Sequence, residues 1–204
     1  MPGAPATPPD CFQTKYTSSN PVSRRLVGGF FDALARAVGS TERVKRVLEV
    51  ACGEGVSTKR LRGMLPPDVE LRASDVDSVR VDAARARNPG VTIDVESIYD
   101  LSCEDGSFDL VVALEVLEHL DDPARGLGEV CRASRRWVIC SVPREPLWRA
   151  LNLARLCYVA DLGNTPGHLN HWSAAGFTRF VGDHLRVRRR LLPVPWTMIV
   201  GEVR

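Results

Sequence analysis

A glutamate precedes a short glycine-rich turn in the stretch "VLEVACGEG" (47–55). Glu49 lies in an apolar run that indicates a buried strand, and Gly53 and Gly55 follow it. Burying a carboxylate is costly unless a partner offsets its charge, and a cationic ammonium supplied by a ligand would do so. Glycines let the backbone close around such a ligand. The pattern therefore indicates a site for a cationic ligand, with a tight turn whose acid reaches solvent as the alternative.

The same turn lacks the glycines that phosphate-binding turns use. A dinucleotide fingerprint would place glycines where this chain has Ala51, Gly53 and Val56, so its third glycine is absent. A Walker loop is excluded as well, because no Gly-Lys-Ser/Thr follows. The remaining ligand carries an amino acid and a nucleoside but no phosphate, and S-adenosylmethionine (SAM) is a molecule of this kind.

Residues that suit a nucleoside follow the next two strand candidates. Asp75, with Val76 after it, ends the second strand, where a carboxylate would accept hydrogen bonds from both ribose hydroxyls. Ser97 and Ile98 follow the third strand, where they would offer a backbone donor and an apolar lid to adenine. Open α/β sheets bind ligands at the carboxyl ends of their strands, so these residues are expected to meet the turn after Glu49.

Carboxylates and a histidine recur in "EVLEH", after the fourth strand candidate. Glu115, Glu118 and His119 are spaced i, i+3 and i+4, which places them on one face if the segment is helical. That face would hold a divalent metal, with His168 or His171 completing the ligand set. In the alternative, Glu115 and His119 only order the loop beside the ligand.

A second group of histidines lies in "GHLNHW" (167–172). His168 and His171 are candidates for a general base, as is His119, because imidazole titrates near neutral pH. The alternative is that these histidines hydrogen-bond to the backbone and orient the loop. Large apolar residues nearby predict either a substrate pocket or a helix packed on the sheet: Trp148, Leu151, Tyr158 and Trp172.

Short apolar runs alternate with helical segments from residue 46 onward, which predicts a parallel sheet with helices on both faces. Two further runs close the chain and predict an antiparallel connection. The strand candidates are 46–51, 69–74, 91–95, 108–114, 137–142, 185–192 and 196–203.

Helices are predicted between these strands and near both ends of the alternating region. Asn20 and Pro21 predict the start of an N-terminal helix, which Gly28 and Gly29 weaken enough to suggest a kink or break. An apolar segment at 146–160 predicts another helix, followed by a turn-rich stretch.

Composition limits the partners of this 204-residue chain. The net charge is +2, so neither nucleic acid nor an anionic membrane is expected as a partner. The basic run "RVRRR" (186–190) is expected to alternate between the two faces of a solvated strand. Six cysteines occur without a Cys-x-x-Cys pair, and neither a signal peptide nor a membrane-spanning run is found. These features favour a reducing cytoplasm.

Residues 44–142 resemble the class I SAM-dependent methyltransferases. They are most similar to the type 11 group, which includes enzymes of ubiquinone and menaquinone biosynthesis. The stretches that carry the resemblance are "VLEVACGEG", "SDVD", "SIYDL" and "DGSFDLVVALEVLEHLDDP". Two positions depart from the pattern, because Ala51 replaces the usual first glycine and Ser97 stands where relatives often have aspartate.

The resemblance implies a Rossmann-like α/β fold with a seven-stranded, mostly parallel sheet whose last strand is antiparallel. It predicts one methyltransferase domain over 11–204, with an acceptor-side insertion at 143–172. The proline-rich composition of residues 1–10 predicts a disordered tail ahead of this domain. The implied SAM contacts, some predicted from the residues above, are Glu49, Ala51, Gly53, Gly55, Asp75, Val76, Ser97, Ile98 and Leu114, with Tyr16 closing over the ligand.

The implied activity is transfer of a methyl group from SAM to a small-molecule or lipid-like acceptor, leaving S-adenosylhomocysteine. The catalytic candidates are His168, His171 and His119, and no metal is expected. Two alternatives remain at this point. One is an RNA 2′-O-methyltransferase with a metal on Glu115, Glu118 and His119, and the other is a SAM-binding partner subunit without catalysis of its own.

Overall fold

The computed structural model describes residues 20–204, so the predictions for Tyr16 and for the tail at 1–10 lie outside the described residues. The helices are α1 (Pro21–Val38), α2 (Val56–Met64), α3 (Ser78–Arg87), α4 (Pro123–Ala133), α5 (Leu147–Ala154) and α6 (Ala174–His184). The strands are β1 (Arg46–Val50), β2 (Glu70–Asp75), β3 (Thr92–Val95), β4 (Phe108–Leu114), β5 (Ser134–Pro143), β6 (Leu185–Leu191) and β7 (Trp196–Val203). Short 3-10 turns occupy Leu117–His119 and Val159–Asp161.

The seven strands form one sheet in the order β3-β2-β1-β4-β5-β7-β6. Strands β1 to β5 pair in parallel, whereas β7 is antiparallel to both of its neighbours. This arrangement confirms the Rossmann-like α/β prediction, including the reversed last strand. It also brings the carboxyl ends of β1 to β5 to the same edge of the sheet, where ligands bind in open α/β folds.

The central strands are buried on both faces, as parallel strands covered by helices must be. Successive side chains of a strand point to opposite faces. In β1, Val47 therefore packs in the apolar layer of α1, while Leu48 packs in the layer that contains the buried residues of α4 and α6. The site residues that follow these strands thus rest on a core that is filled from two sides.

Helix α1 begins at the predicted residue but runs without a break. The Asn20 side chain accepts a hydrogen bond from the Val22 amide at 2.8 Å, and Pro21 fills the first turn. The helix continues through Gly28 and Gly29 to Val38, so no break occurs at the two glycines. Burial of the apolar face of α1 against the sheet stabilises the helix despite its two glycines.

Helix α5 is shorter than the helix predicted over 146–160. It ends at Ala154, and a new 3-10 turn begins only at Val159. The buried Asn152 explains the early end, because its side-chain amide donates to the Gly163 carbonyl at 2.9 Å and holds the chain as it returns. None of the helices within 20–204 is both long enough and apolar enough to cross a membrane.

The arginine run lies on β6, which is the edge strand of the sheet. A register shift between Val187 and Arg189 interrupts the strict alternation that the sequence predicts. Arg188 forms an ion pair with Glu202 on β7. The arginine run is mostly exposed along this edge, as predicted.

Candidate active site

Glu49 is buried in the middle of the sheet, with only 1% of its surface exposed. Neither of its carboxylate oxygens makes a hydrogen bond among the described residues. Burial raises the pKa of this carboxyl from 4.5 to about 7, and the nearby hydroxyls of Ser57 and Thr58 lower it only partly. The alternative of an acid that reaches solvent is therefore wrong. The strand holds an acid whose ionised form needs a partner.

The turn after β1 contains three residues with left-handed backbone angles. Ala51, Gly53 and Gly55 have φ values of 54°, 55° and 74°. A Cβ at Gly55 would lie 2.4 Å from the side-chain amide nitrogen of Asn88 and 2.9 Å from the Cβ of Ala84. A Cβ at Gly53 would meet no atom within 4 Å. Gly55 is therefore required by the close packing of the turn on α3, and Gly53 faces the open side.

Asp75 ties the end of β2 to this turn. Its Oδ2 accepts a hydrogen bond from the Gly53 amide at 2.7 Å, and its Oδ1 accepts one from the Asp77 amide at 3.0 Å. The residue is 5% exposed, so its carboxylate is fixed beside the turn. Each oxygen keeps a second acceptor position for a ligand.

Apolar side chains stand exposed beside Asp75, at the same edge. Val76 is 71% exposed, and Val95, the last residue of β3, is 51% exposed. Ser97 forms a tight turn, because its carbonyl accepts from the Asp100 amide at 3.0 Å. The Ile98 side chain packs in the apolar layer under this turn and is 8% exposed. The structure brings these residues to the edge predicted for adenine, although Ile98 contributes mainly to the core.

Leu114 is the last residue of β4 and is buried in the apolar layer of α1. Glu115 follows it with a left-handed φ of 55°. The Glu115 carboxylate accepts hydrogen bonds from the Ser141 hydroxyl at 3.1 Å and from the Trp196 indole at 2.5 Å. These partners hold the side chain at the ends of β5 and β7. Glu115 is therefore engaged elsewhere and does not join Glu118, His119 and His168, whose potential ligand atoms lie close together.

Glu118, His119 and His168 lie together, with one potential ligand atom of each within 4.8 Å of the others. Glu118 is 1% exposed and His168 is 5% exposed. The two imidazole rings meet edge to face with centroids 4.9 Å apart, and Nδ1 of His119 lies 2.9 Å from the Gly167 carbonyl oxygen. Residues 115–119 do not form the α-helical turn that would place these side chains on one face, because only a 3-10 turn forms at Leu117–His119.

His171 is separate from this group. Its Nε2 lies 2.7 Å from Oδ1 of Asn164 and 3.4 Å from the Arg149 guanidinium. The structure therefore brings two of the three predicted catalytic histidines together, His119 and His168. The third, His171, meets the side chains of Asn164 and Arg149 and not the backbone that the alternative named.

A cavity of about 250 Å³ opens between α1 and α5. Trp148, Leu151 and Tyr158 line it, as one sequence hypothesis for an apolar pocket predicts. Trp172 does not, because it packs with Phe177 and Phe180 on the other face of the sheet. Sequence reasoning missed the contribution of α1, through Leu26 and Val27, and that of Trp196. The apolar periodicity of α1 was the only feature of the sequence that indicated its contribution to the cavity.

Residues 47–136 match the family model of a methyltransferase domain. A ubiquinone biosynthesis O-methyltransferase from Xanthomonas euvesicatoria pv. vesicatoria is 29% identical over 166 residues, which cover 74% of this chain and 67% of that protein. Another from Burkholderia ambifaria is 30% identical over 108 residues, covering 50% of this chain and 43% of the relative.

Solved structures share the fold over most of the chain. A SAM-dependent methyltransferase from Aquifex aeolicus gives a TM-score of 0.70 at 15% identity, with 94% of this chain and 98% of the other covered. The magnesium protoporphyrin IX methyltransferase of Synechocystis, with S-adenosylhomocysteine bound, gives a TM-score of 0.65 at 17% identity, covering 91% and 88%. At such identities these structures demonstrate a common fold.

Proposed function

We propose that this chain, which belongs to the SAM-dependent methyltransferases, transfers the methyl group of SAM to a small-molecule or lipid-like acceptor. The observation that carries the proposal is the pair of buried carboxylates, Glu49 and Asp75, on either side of the Gly53 turn. One carboxylate lacks a hydrogen-bond partner among the described residues, and the other is fixed with acceptor positions to spare. An amino-acid nucleoside supplies an ammonium for the first and ribose hydroxyls for the second.

The two carboxylates bind different groups of the donor. The ammonium of SAM stabilises the ionised form of Glu49, so binding brings the raised pKa of that group back down. The Asp75 carboxylate accepts from the ribose hydroxyls while Gly53 and Asp77 hold it from behind. Exposed Val76 and Val95 provide an apolar surface for adenine. The donor is thus held at three points before the acceptor arrives.

Methyl transfer from a sulfonium is an in-line displacement, so the protein chiefly aligns the acceptor with the methyl group. Where the acceptor is a hydroxyl, a general base removes its proton and contributes about 10²–10⁴-fold to the rate. His168 is the principal candidate, since it is buried beside Glu118 and His119. His119 is the second candidate and His171, in the outer loop, the third.

A small-molecule acceptor is supported by the relatives, which are named ubiquinone biosynthesis O-methyltransferases. The test is to follow S-adenosylhomocysteine formation with phenols, quinols and amines as acceptors, using Asp75→Ala as the blank. We expect turnover above the blank with at least one acceptor. If the protein binds SAM but no acceptor raises turnover above the blank, the chain is a SAM-binding partner subunit instead.

A metal-dependent RNA 2′-O-methyltransferase is the second candidate, favoured by the grouping of Glu118, His119 and His168. Imidazole nitrogens and a carboxylate suit a divalent ion such as Zn²⁺ or Mn²⁺. Such an ion would polarise the acceptor hydroxyl. Dialysis against a chelator separates the candidates: loss of transfer to RNA with rescue by added metal supports this one, and unchanged transfer to small molecules rejects it.

The described cysteines are all free thiols: Cys52, Cys103, Cys131, Cys140 and Cys157. Burial raises the pKa of Cys52 to about 12 and raises that of Cys140 as well, which keeps both thiols protonated and unreactive. Free thiols at these positions support a reducing cytoplasm as the compartment in which the protein works.

A further inference from the structure

Strand β6 is open along one side. It is the last strand in the order of the sheet and pairs only with β7. No other described segment forms backbone hydrogen bonds with its outer edge. The N–H and C=O groups that point outward along such an edge are able to pair with a further strand. The outer edge of β6 is therefore a place where another extended chain fits.

A register shift gathers arginines on one face of this edge. Arg186 lies opposite Glu202 of β7, and Arg189 lies opposite Val200, which packs in the apolar layer of α1. Glu202 and Val200 are two residues apart on β7, so they point to the same face, and the arginines opposite them share that face. Without the shift between Val187 and Arg189, a spacing of three residues would send the two arginines to opposite faces.

The carboxylate nearest to these arginines is already engaged. Oε1 of Glu202 accepts a hydrogen bond from Nε of Arg136 at 3.0 Å, and Oε2 accepts one from Nε of Arg188 at 2.8 Å. Arg186 and Arg189 are exposed, and neither forms an ion pair or a side-chain hydrogen bond with a described residue. The α1 face of the β6 edge therefore carries positive charge that an anionic partner would neutralise.

The opposite face of β6 is apolar over its first half. Leu185 and Val187 pack in the layer of α4 and α6, and Arg190 lies further along the same face. A strand added beside β6 would thus meet charge on one face and apolar side chains on the other. Alternate residues of a strand are about 6.8 Å apart. That is also the spacing of Glu202 and Val200, which lie opposite the two arginines.

We propose that the outer edge of β6 binds an extended acidic segment of a partner protein, which joins the sheet with its carboxylates beside Arg186 and Arg189. A nucleic acid fits this surface less well, because it does not pair with a strand edge and because β6 has no aromatic side chain on which bases stack. A second copy of the chain fits less well too, because two such edges bring arginines together. Strands β4, β5 and β7 lie between β6 and β1, so this surface is separate from the donor turn.

The test is calorimetric titration of the full chain with an acetylated eight-residue peptide of alternating glutamate and valine. We expect saturable binding with a dissociation constant at or below about 1 mM. Replacing both Arg186→Gln and Arg189→Gln should weaken it about tenfold, as for two partly exposed charge pairs. The matched control replaces Arg80→Gln and Arg85→Gln, exposed on α3 at the opposite edge of the sheet, and should bind the peptide normally.

Methylation of the peptide backbone separates strand pairing from attraction between charges. The N–H groups of alternate residues in an added strand point to the same edge. Of two peptides methylated on every glutamate nitrogen or on every valine nitrogen, only one therefore presents methyl groups to β6. We expect that peptide to bind at least about tenfold more weakly than the parent, and the other to stay within about threefold of it.

The proposal is overturned if the parent peptide does not bind, if the double variant at Arg186 and Arg189 binds it normally, or if both methylated peptides bind like the parent. Equal binding of a peptide that alternates lysine and valine also overturns it. Tighter binding of octathymidylate than of the acidic peptide would assign the surface to nucleic acid instead. None of these titrations contains SAM, so their outcome is independent of the proposed methyl transfer.

Discussion

The donor side and the acceptor side of the site are built in different ways. On the donor side, Glu49, Gly53 and Asp75 lie in or directly after parallel strands, and backbone amides hold the Asp75 carboxylate. On the acceptor side, α1, α5 and the start of β7 meet from distant parts of the chain. The donor side is therefore fixed by the sheet itself, whereas the acceptor side depends on how later segments pack onto it.

The two sides also differ in charge. The donor side keeps two buried carboxylates, and one of them has its pKa raised to about 7 because burial disfavours its charge. The described lining of the cavity between α1 and α5 has no carboxylate, and its single charged residue is Arg155. The buried carboxylate of Glu49 thus favours a cationic ligand on the donor side, and no described residue that lines the cavity does the same. Changes on one side should leave binding on the other side intact.

Asp75→Ala should produce the largest effect on the donor side. It removes both ribose contacts and releases the Gly53 amide, so SAM affinity should fall by about 1,000-fold, as expected when two hydrogen bonds to a charged group are lost. Calorimetric titration with SAM measures the loss. Asp82→Ala, an exposed acid on α3, is the control and should bind normally. Similar affinities for the two variants would place the ribose elsewhere.

His168→Asn should impair methyl transfer to the acceptor without weakening SAM binding. Loss of the general base should lower kcat by about 100-fold, while SAM affinity stays within about twofold of wild type. Steady-state kinetics and a separate SAM titration give the two values. The control is His184→Gln, in the last turn of α6 and remote from the site. A parallel loss of SAM affinity would show that His168 supports the donor side and does not act as the base.

Glu49→Gln should reveal the cost of the buried acid. The folded pKa of about 7 lies above the ordinary 4.5, so the free protein loses stability as the pH rises through this interval. The glutamine side chain does not ionise, so the variant does not lose stability over this pH interval. Its free energy of unfolding relative to wild type should increase by about 2 kcal/mol between pH 5 and pH 8. Urea unfolding at the two pH values measures the change, and a difference independent of pH would mean that Glu49 stays ionised.

The two glycines of the donor turn should separate packing from binding. Gly55→Ala should destabilise the fold by about 1 kcal/mol more than Gly53→Ala, because its Cβ would collide with α3 in addition to the backbone strain that both share. Thermal unfolding would detect a difference of about 2–4 °C. Gly53→Ala should weaken SAM binding more than its small stability loss suggests. Equal melting temperatures for the two variants would show that packing on α3 does not require glycine at position 55.

Much of the donor side could be predicted from the sequence because its features are local. The apolar runs located β1 to β5 to within a few residues, and the short turn after Glu49 needed left-handed backbone angles that glycine supplies. The fold followed from the alternation of these runs with helices. The role of Gly55 was not predictable, because its neighbours on α3 are about thirty positions away in the chain.

The acceptor side was only partly predictable, because its contacts join distant segments. The spacing of "EVLEH" suggested that Glu115 shares a face with His119, but Trp196 and Ser141 hold its carboxylate instead. The apolar pattern over 146–160 predicted a long helix, which the Asn152 contact with Gly163 ends early. No pattern in the sequence paired α1 with α5. These details come from tertiary packing, which local periodicity does not encode.

Whether the buried Glu49 binds the ammonium of SAM can be measured by calorimetric titration of the wild-type protein with SAM in two buffers of different ionisation enthalpy. We expect saturable binding at one site near pH 6.5, with release of up to one proton as Glu49 ionises against the ammonium. Glu49→Gln should abolish the proton release. Absence of binding at millimolar SAM, or binding whose heat is the same in both buffers, would show that Glu49 does not bind the ammonium of SAM.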